Sequence, residues 1–278
     1  MTHNDVIMNH GSSVIQHGHF NNRVYVMKLA REDIPDIIRL ADDLARKEGY
    51  SKIFVKVPES AQEPFSHAGY VSEATVPLFY QDEPAVFMAK YLDPERKNVR
   101  DATIIANTLS EAFVHAGRRA PHVLPEGFSL MHAHAGDATE IARLYQTVFK
   151  TYPFPITDDE FIRKSLQDHT RYYVVKKSHI LAAVASCEVD SSNRIIEVTD
   201  FATSPLFRGR GFASHLLHAM ETDMKKEGIR LAFTICRAVS GPINTVFAGA
   251  GYEFGGQLPN NTNICGSIES MNVWYKRL

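Results

Sequence analysis

The chain has 278 residues, room for one large or two small domains, and its 44% apolar content is ordinary for a globular protein. Thirty Lys and Arg against thirty-two Asp and Glu leave a formal charge of −2, which gives no electrostatic case for a nucleic acid or anionic membrane partner. No apolar run reaches the roughly 18 residues of a membrane-spanning helix, residues 1–23 lack a signal-peptide core, and Cys187, Cys236 and Cys265 are few and far apart. Reduced thiols in a cytoplasmic protein are therefore expected, with neither a disulfide framework nor a metal site.

Residues 1–23 read as a polar edge or a mobile start; they carry His3, His10, His17 and His19, of which His17 and His19 would chelate a metal only from a strand with further ligands nearby. Arg23–Leu29 reads as a strand. Asp33-Ile34-Pro35 opens a helix with Pro in its first turn, Ile37, Ile38, Leu40, Ala41 and Leu44 form its apolar face, and Gly49 ends it. Lys52–Val57 is a strand, a short helix ends near Phe65–Tyr70, and strands at Glu73–Tyr80 and Ala85–Leu92 close the unit. Asp93 to Glu126 links two halves through a helix over Asn98–His115, with Ile104, Ile105, Leu109 and Phe113 on one side, and a breaker at Gly117–Pro121.

The second half begins near Gly127, so the expected division is 1–126 and 127–278. Phe128–His132 is a strand, Asp137–Lys150 a helix, and Tyr152-Pro153-Phe154-Pro155 interrupts it. A second helix starts with Thr157 as N-cap and Glu160 at N3. Strands follow at Arg171–Lys176, His179–Val189 and Arg194–Thr203. Then come a glycine-rich turn, a helix to Glu227, a strand at Leu231–Cys236, a short helix over Gly241–Ala250 and strands from Tyr252 to the end. The halves share a weak repeat. Lys47-Glu48-Gly49 is matched by Lys226-Glu227-Gly228, and Phe65-Ser66-His67-Ala68-Gly69-Tyr70 by Phe247-Ala248-Gly249-Ala250-Gly251-Tyr252; a short insertion reconciles the two offsets.

The turn Pro205–Ser214 carries the chemistry. Gly209 and Gly211 let the backbone approach a ligand, and the first amides of the following helix are unpaired at the positive end of its dipole, an arrangement that binds phosphate oxygens. A P-loop needs a Lys-Ser or Lys-Thr that is missing, and a dinucleotide fingerprint needs a third glycine where Ser214 stands. Arg208, Gly211 and Ala213 instead fit Arg-x-x-Gly-x-Ala. On these residues, and on the strand-turn-helix order around them, the second half resembles the GNAT acyltransferases.

That resemblance implies an α+β fold of three layers, the GNAT acyl-CoA N-acyltransferase fold, preceded by a partial GNAT-like half that lacks the turn. It implies acetyl-CoA as cosubstrate. Its diphosphate would lie on Arg208, Gly209, Arg210, Gly211, Phe212, Ala213 and Ser214, and its pantetheine arm along Phe201, Ala202 and Thr203. Glu197, four positions before Phe201, matches the catalytic Glu of the histone-acetylating branch and is the expected base. Strand alternation would put Glu197, Thr199, Phe201 and Thr203 on one face and Asp200 on the other, unless a bulge intervenes. The family's usual thiolate-protonating Tyr falls on Phe247, which cannot donate a proton, leaving Asn244 as a pantetheine or thiol contact.

Asn260-Asn261-Thr262-Asn263-Ile264 and Glu269-Ser270-Met271-Asn272-Val273-Trp274-Tyr275-Lys276, with the Tyr152–Pro155 run, resemble the beta-lysine N6-acetyltransferase branch. This implies a small acceptor with two amines and one carboxylate. Tyr152, Phe154, Asp200, Arg237, Asn260, Asn261, Glu269 and Asn272 are its candidate contacts, with Asp200 or Glu269 toward the ammonium and Arg237 or the Asn cluster toward the carboxylate. Another small amine or a protein amine as acceptor, and a non-catalytic acetyl-CoA-binding regulator, are the rival readings. The first half would serve either as a homodimer face or as a cover for the sheet.

Overall fold

The computed structural model describes residues 5–118 and 123–278. His3 and the Arg119–Pro121 part of the breaker lie outside the described residues. Residues 5–18 form an edge hairpin, β1 (Val6–His10) and β2 (Ser13–Gly18), where the sequence suggests only a polar edge or mobile start. The solvent-facing side chains of β1 give no alternation to read, but the Asp33 carboxylate takes the Ser12 and Ser13 amides and pins the hairpin turn.

β3 (Arg23–Lys28) leads through a short turn to α1 (Asp36–Glu48), β4 (Lys52–Pro58), α2 (Gln62–His67), β5 (Val71–Tyr80) and β6 (Glu83–Tyr91). Pro35 precedes α1 rather than lying inside it, because the Arg31–Asp33 turn uses up the residues before it. Ile37, Ile38, Ala41 and Ala45 are the buried residues of α1, and Leu40 and Leu44 pack beside them. α3 (Ala102–Val114) buries Ile105, Thr108 and Ala112, whereas Ile104 and Phe113 stay exposed, since the helix rests on its neighbours by a narrow stripe.

The second half runs β7 (Phe128–His132), α4 (Ala138–Val148), α5 (Asp159–Gln167), β8 (Thr170–Lys177), β9 (Ile180–Asp190), β10 (Ile195–Thr203), α6 (Phe212–Lys226), β11 (Leu231–Arg237), α7 (Gly241–Gly249), β12 (Glu253–Ile264) and β13 (Ser267–Arg277). The expected order of elements over 127–278 is the observed one. The α5 cap is Asp158, not Thr157: the Asp158 carboxylate accepts from the Glu160 amide at 2.9 Å.

Among the described residues, all strands belong to one 13-stranded sheet, ordered β1-β2-β3-β4-β6-β5-β12-β13-β11-β10-β9-β8-β7. The order on one side of the β5/β12 seam mirrors that on the other: β3 and β10 pair in parallel with β4 and β11, which pair antiparallel with β6 and β13. α6 and α7 cover one face of the second half, α4 and α5 the other, giving three layers there. Across the seam the two halves share an apolar cluster in which Phe54, Phe79 and Phe87 meet Ile195, Leu231, Phe233 and Val273.

The seam has a single backbone register pair, Gly256 with Ala74. Gly256 sits at φ +142°, and a Cβ there would lie 2.4 Å from the Glu73 carbonyl oxygen and 2.6 Å from the Ala74 Cα. Beyond it, three buried cations of the first half donate to three successive carbonyls: Lys52 to Pro259, Arg96 to Asn260 and Arg23 to Asn261. The Gly256→Val variant must push the halves apart. A loss of about 3 kcal/mol, about 6–10 °C in melting temperature, is expected by scanning calorimetry; a melting point within 1–2 °C of the parent, on the same size scale, would show that the seam tolerates separation.

Candidate active site

β10 and β11 pair over only three rungs, Ile195 with Leu231, Ile196 with Ala232 and Glu197 with Phe233. Beyond the third rung β10 stays with β9 as far as Thr203 and β11 stays with β13 as far as Arg237. The strands part, and the edge of β10 through Phe201, Ala202 and Thr203 faces the gap without a β11 partner. Glu197 stands on the last rung.

The turn after β10 completes the gap. Gly209 and Gly211 have φ of +76° and +73°, left-handed values that suit glycine, and Gly211 is the N-cap of α6. Among the described residues no backbone carbonyl accepts from the amides of Gly209 through Ala213, while Ser214 and His215 donate to the Gly211 carbonyl. Arg208, Gly209, Arg210 and Gly211 are exposed, and the Arg210 guanidinium lies 5.7 Å from the Phe128 ring centre. Phe212 is buried and anchors the helix start in the core.

A bulge overrides simple alternation in β10. The pairing with β9 shifts between Thr199 and Ala202, and Asp200 takes φ +56°. Asp200 therefore joins Glu197 and Thr199 on one face, and Phe201 turns to the opposite face, its ring 5.7 Å from that of Phe247. The expected grouping of Phe201 with Glu197 is corrected by that extra residue. The Asp200 carboxylate accepts from Ser186 Oγ at 2.6 Å and from the Tyr152 hydroxyl. Glu188, opposite Glu197 on β9, adds a third carboxyl that the sequence did not single out.

These carboxyls are held away from their ordinary values. Burial pushes Glu197 up, Lys56 of β4 pulls it back, and Asp200 pushes it further up. Burial also raises Asp200, against the pull of its bonds to Ser186, Tyr152 and Thr199. Glu188 is exposed to solvent, and the neighbouring charges of Glu197 and Asp200 push it upward. Such a raised carboxyl set is what a proton acceptor near neutral pH requires.

Further along the gap, Arg237 of β11 and Glu269 of β13 form a bidentate ion pair at 2.7 and 2.8 Å. Tyr152 lies against this cleft, and Phe154 packs into the α4/α5 core. The other candidates have structural commitments. Asn244 is fully buried: it donates to the Arg237 and Ser240 carbonyls and accepts from Asn272 and the Trp274 indole, so both it and Asn272 lie inside the core rather than at a ligand surface. Phe247 is likewise wholly buried. Both side-chain donors of Asn260 go to the carbonyls of Arg96 and Asn98, and Asn261 is buried in the seam. The asparagine run thus acts as a strap between halves. His17 meets the Tyr50 hydroxyl at 3.1 Å, and among the described residues no group of three or more His, Cys, Asp or Glu is placed to hold a metal.

The model of the Acetyltransferase (GNAT) family matches residues 139–241, from α4 through β11. A Beta-lysine N(6)-acetyltransferase of Methanococcus maripaludis is 36% identical over 95% of this chain and 96% of its own length. The chain belongs to the GNAT family of acetyltransferases. The N-acetyltransferase YodP of Bacillus subtilis is 30% identical over 96% of both chains, and a Beta-lysine N(6)-acetyltransferase of Methanosarcina mazei is 29% identical over 84% of this chain. The relatives span the first half as well as the second. This protein is an acetyl-CoA-dependent N-acetyltransferase with the GNAT fold, and no helix among its described residues is long and apolar enough to cross a membrane.

The turn around Gly211 supplies the most direct test of where acetyl-CoA is held. A Val there would adopt a left-handed backbone at a cost of about 1–2 kcal/mol and stand at the mouth of the turn. Gly211→Val is expected to weaken acetyl-CoA binding at least about tenfold by calorimetry; unchanged affinity would remove the turn from nucleotide binding.

Proposed function

We propose that this acetyltransferase moves the acetyl group of acetyl-CoA to the N6 amine of beta-lysine. The observation that carries the proposal is the parting of β10 and β11 at Glu197, with free amides at one end of the gap and a carboxylate-lined cleft ending in the Arg237–Glu269 pair at the other. The unpaired amides from Gly209 to Ala213 suit a diphosphate, and the exposed edge of β10 through Phe201, Ala202 and Thr203 suits the amide groups of a pantetheine arm. Neither contact calls for a metal, and the same chemistry fits a cytoplasmic enzyme.

An amine with a pKa of about 10 arrives protonated at neutral pH and must lose a proton before it can attack. Glu197, held above the usual carboxylate range, takes that proton directly or through a water. The nitrogen lone pair then adds to the thioester carbonyl, the nitrogen gives up its second proton to water, the C–S bond breaks, and the CoA thiolate leaves. Phe247 and Asn244 are both buried in the core, so the thiolate takes its proton from solvent.

Beta-lysine suits the cleft because it carries two ammonium groups and one carboxylate. Glu188 and Asp200 favour the cationic chain, and Arg237 and Glu269 exchange their mutual contact for the carboxylate and the β-ammonium. The segment after α4 closes one side: Thr151 accepts from the Cys265 amide, and the Pro153 carbonyl accepts from Gln16 of β2. A walled cleft favours a small acceptor over a protein chain. The product is a neutral zwitterion, a chemistry suited to an osmolyte. The mirrored strand order supports reading residues 1–126 and 127–278 as a duplicated pair in which only the second half kept the turn.

In a thiol-release assay over beta-lysine, lysine, spermidine and an N-terminal peptide, beta-lysine should give the highest kcat/KM, at least about tenfold above lysine. Turnover of lysine or spermidine without beta-lysine would reject this acceptor. The Glu197→Gln variant should lose about 100-fold in turnover near pH 7 and recover partly at high pH, where the free amine is abundant. Since the parent base works only when deprotonated, its activity should fall as pH drops through a point above the ordinary carboxylate range. A Glu197→Gln pH–rate profile identical in shape and height to the parent's would take Glu197 out of that role.

A further inference from the structure

The half that has no phosphate turn still reaches the reaction centre, through one lysine. On β4, Ile53, Val55 and Val57 face α1, while Phe54 and Lys56 face the cluster shared by the two halves. The Lys56 ammonium lies 5.7 Å from the ring centres of Tyr25 and Phe79 and 5.6 Å from that of Phe233. Phe233 is the residue opposite Glu197 on the last rung before β10 and β11 part. The Tyr80 hydroxyl donates to the Lys56 carbonyl at 3.1 Å, which fixes the strand at this point. A cation is thus held on an aromatic platform drawn from both halves, next to the rung that carries the base.

The groups that face it are few. Tyr25 and Tyr80 come from its own half, and Glu197 and Glu188 from the other, with Asp200 behind them. Burial works against the charge on Lys56, but Tyr25 and Glu197 hold its ammonium above the ordinary lysine value, so it stays protonated across the working range. Three carboxyls crowded on one face do not all ionise together, and a proton shared among them would be wasted on the base. Lys56 acts on Glu197 and on Glu188, but only Glu197 shares its rung with a residue of the platform. Glu188 lies a strand further away, where its carboxyl meets the charges of Glu197 and Asp200.

We propose that Lys56 is a positioning residue for acetyl transfer, contributed by the first half: its ammonium keeps Glu197 in the carboxylate form. The proposal rests on Glu197 being the base. It gives the first half a chemical task beyond covering the sheet, because the cation acting on Glu197 among the described residues comes from β4 of that half.

Lys56→Met preserves the length and apolar stem of the side chain and removes its charge; Lys56→Arg preserves the charge. With acetyl-CoA saturating and the best acceptor of the panel, kcat/KM is followed from pH 6 to pH 10. Lys56→Met should move the acid limb upward by about one pH unit, lose about tenfold at pH 7 and return to within about twofold of the parent at the alkaline end. Lys56→Arg should leave the limb near that of the parent. A uniform loss at every pH would mean a packing role and overturn the proposal. So would a raised KM for the acceptor with an unmoved limb, which would make Lys56 a contact for the acceptor's carboxylate. If Glu197→Gln leaves the parent profile unchanged, both the base and Lys56's task fall; if Glu197→Gln changes the profile and Lys56→Met does not, only the latter falls. Carbon-13 NMR of the glutamate carboxyls, assigned with Glu197→Gln, follows Glu197 without turnover in the parent, in Lys56→Met and in a second charge-removing variant, Lys56→Gln. Glu197 should ionise at higher pH in whichever of these variants folds than in the parent, and an unmoved Glu197 would overturn the proposal.

Discussion

The short ladder between β10 and β11 is the constraint on which the site depends. Each strand has a stronger claim on it elsewhere: β9 runs beside β10 to Thr203, and β13 beside β11 to Arg237. Parallel pairing therefore stops at Glu197 and Phe233, and backbone groups that would otherwise pair are left facing a gap. The apolar cluster at the seam holds Phe233 from below, with the Phe79 ring 4.9 Å and the Phe87 ring 6.3 Å away. The bulge at Asp200 then turns a second carboxyl toward Glu197. One strand thus presents a bare edge to the gap and acid groups to the cleft.

The seam that supports this arrangement is polar where polar groups are expensive. Burial lowers Arg23 and Arg96 to about 10 and Lys52 to about 8, yet each has defined partners. Lys52 pairs with Glu73 at 3.0 Å and donates to the Pro259 carbonyl at 2.8 Å, with side chains 0% and 4% exposed. Breaking such a pair leaves a bare buried charge, whereas the intact pair adds little net stability. Its effect is positional: the irregular stretch of β12 between Leu258 and Thr262 can lie in one place only. The β12–β13 hairpin, which brings Glu269 to Arg237, is located by that strap.

The two halves repeat one plan and diverge at the same two points. In both parallel ladders the third rung pairs a phenylalanine, Phe54 or Phe233, with a residue that differs: Tyr25 in the first half and Glu197 in the second. Where the second half has glycines and unpaired amides before α6, the first has Arg31-Glu32-Asp33 and a proline before α1, with the Asp33 carboxylate bound to the Ser12 and Ser13 amides. A turn that presents Glu32 and Asp33 in place of glycines repels a diphosphate. The first half keeps the scaffold of the fold and serves as wall and support.

Local chemistry made much of this legible in the sequence by itself. Arg208, Gly211 and Ala213 after a strand specify a turn with exposed amides, because glycine spacing and helix ends are properties of a few adjacent residues. The strands and helices of 127–278 follow from apolar periodicity, and Glu197 is marked by its place on β10. Tertiary structure alone decided the rest. The bulge that brings Asp200 to Glu197's face depends on the register with β9, and Glu188 enters the site only as a cross-strand partner. Asn260 and Asn261 resemble ligand contacts in a linear string, but buried cations from residues more than a hundred positions away claim their carbonyls. Lys56 and Glu197 lie in different halves of the chain. Long-range pairing of this kind is set by how whole faces pack, and no window of sequence contains it.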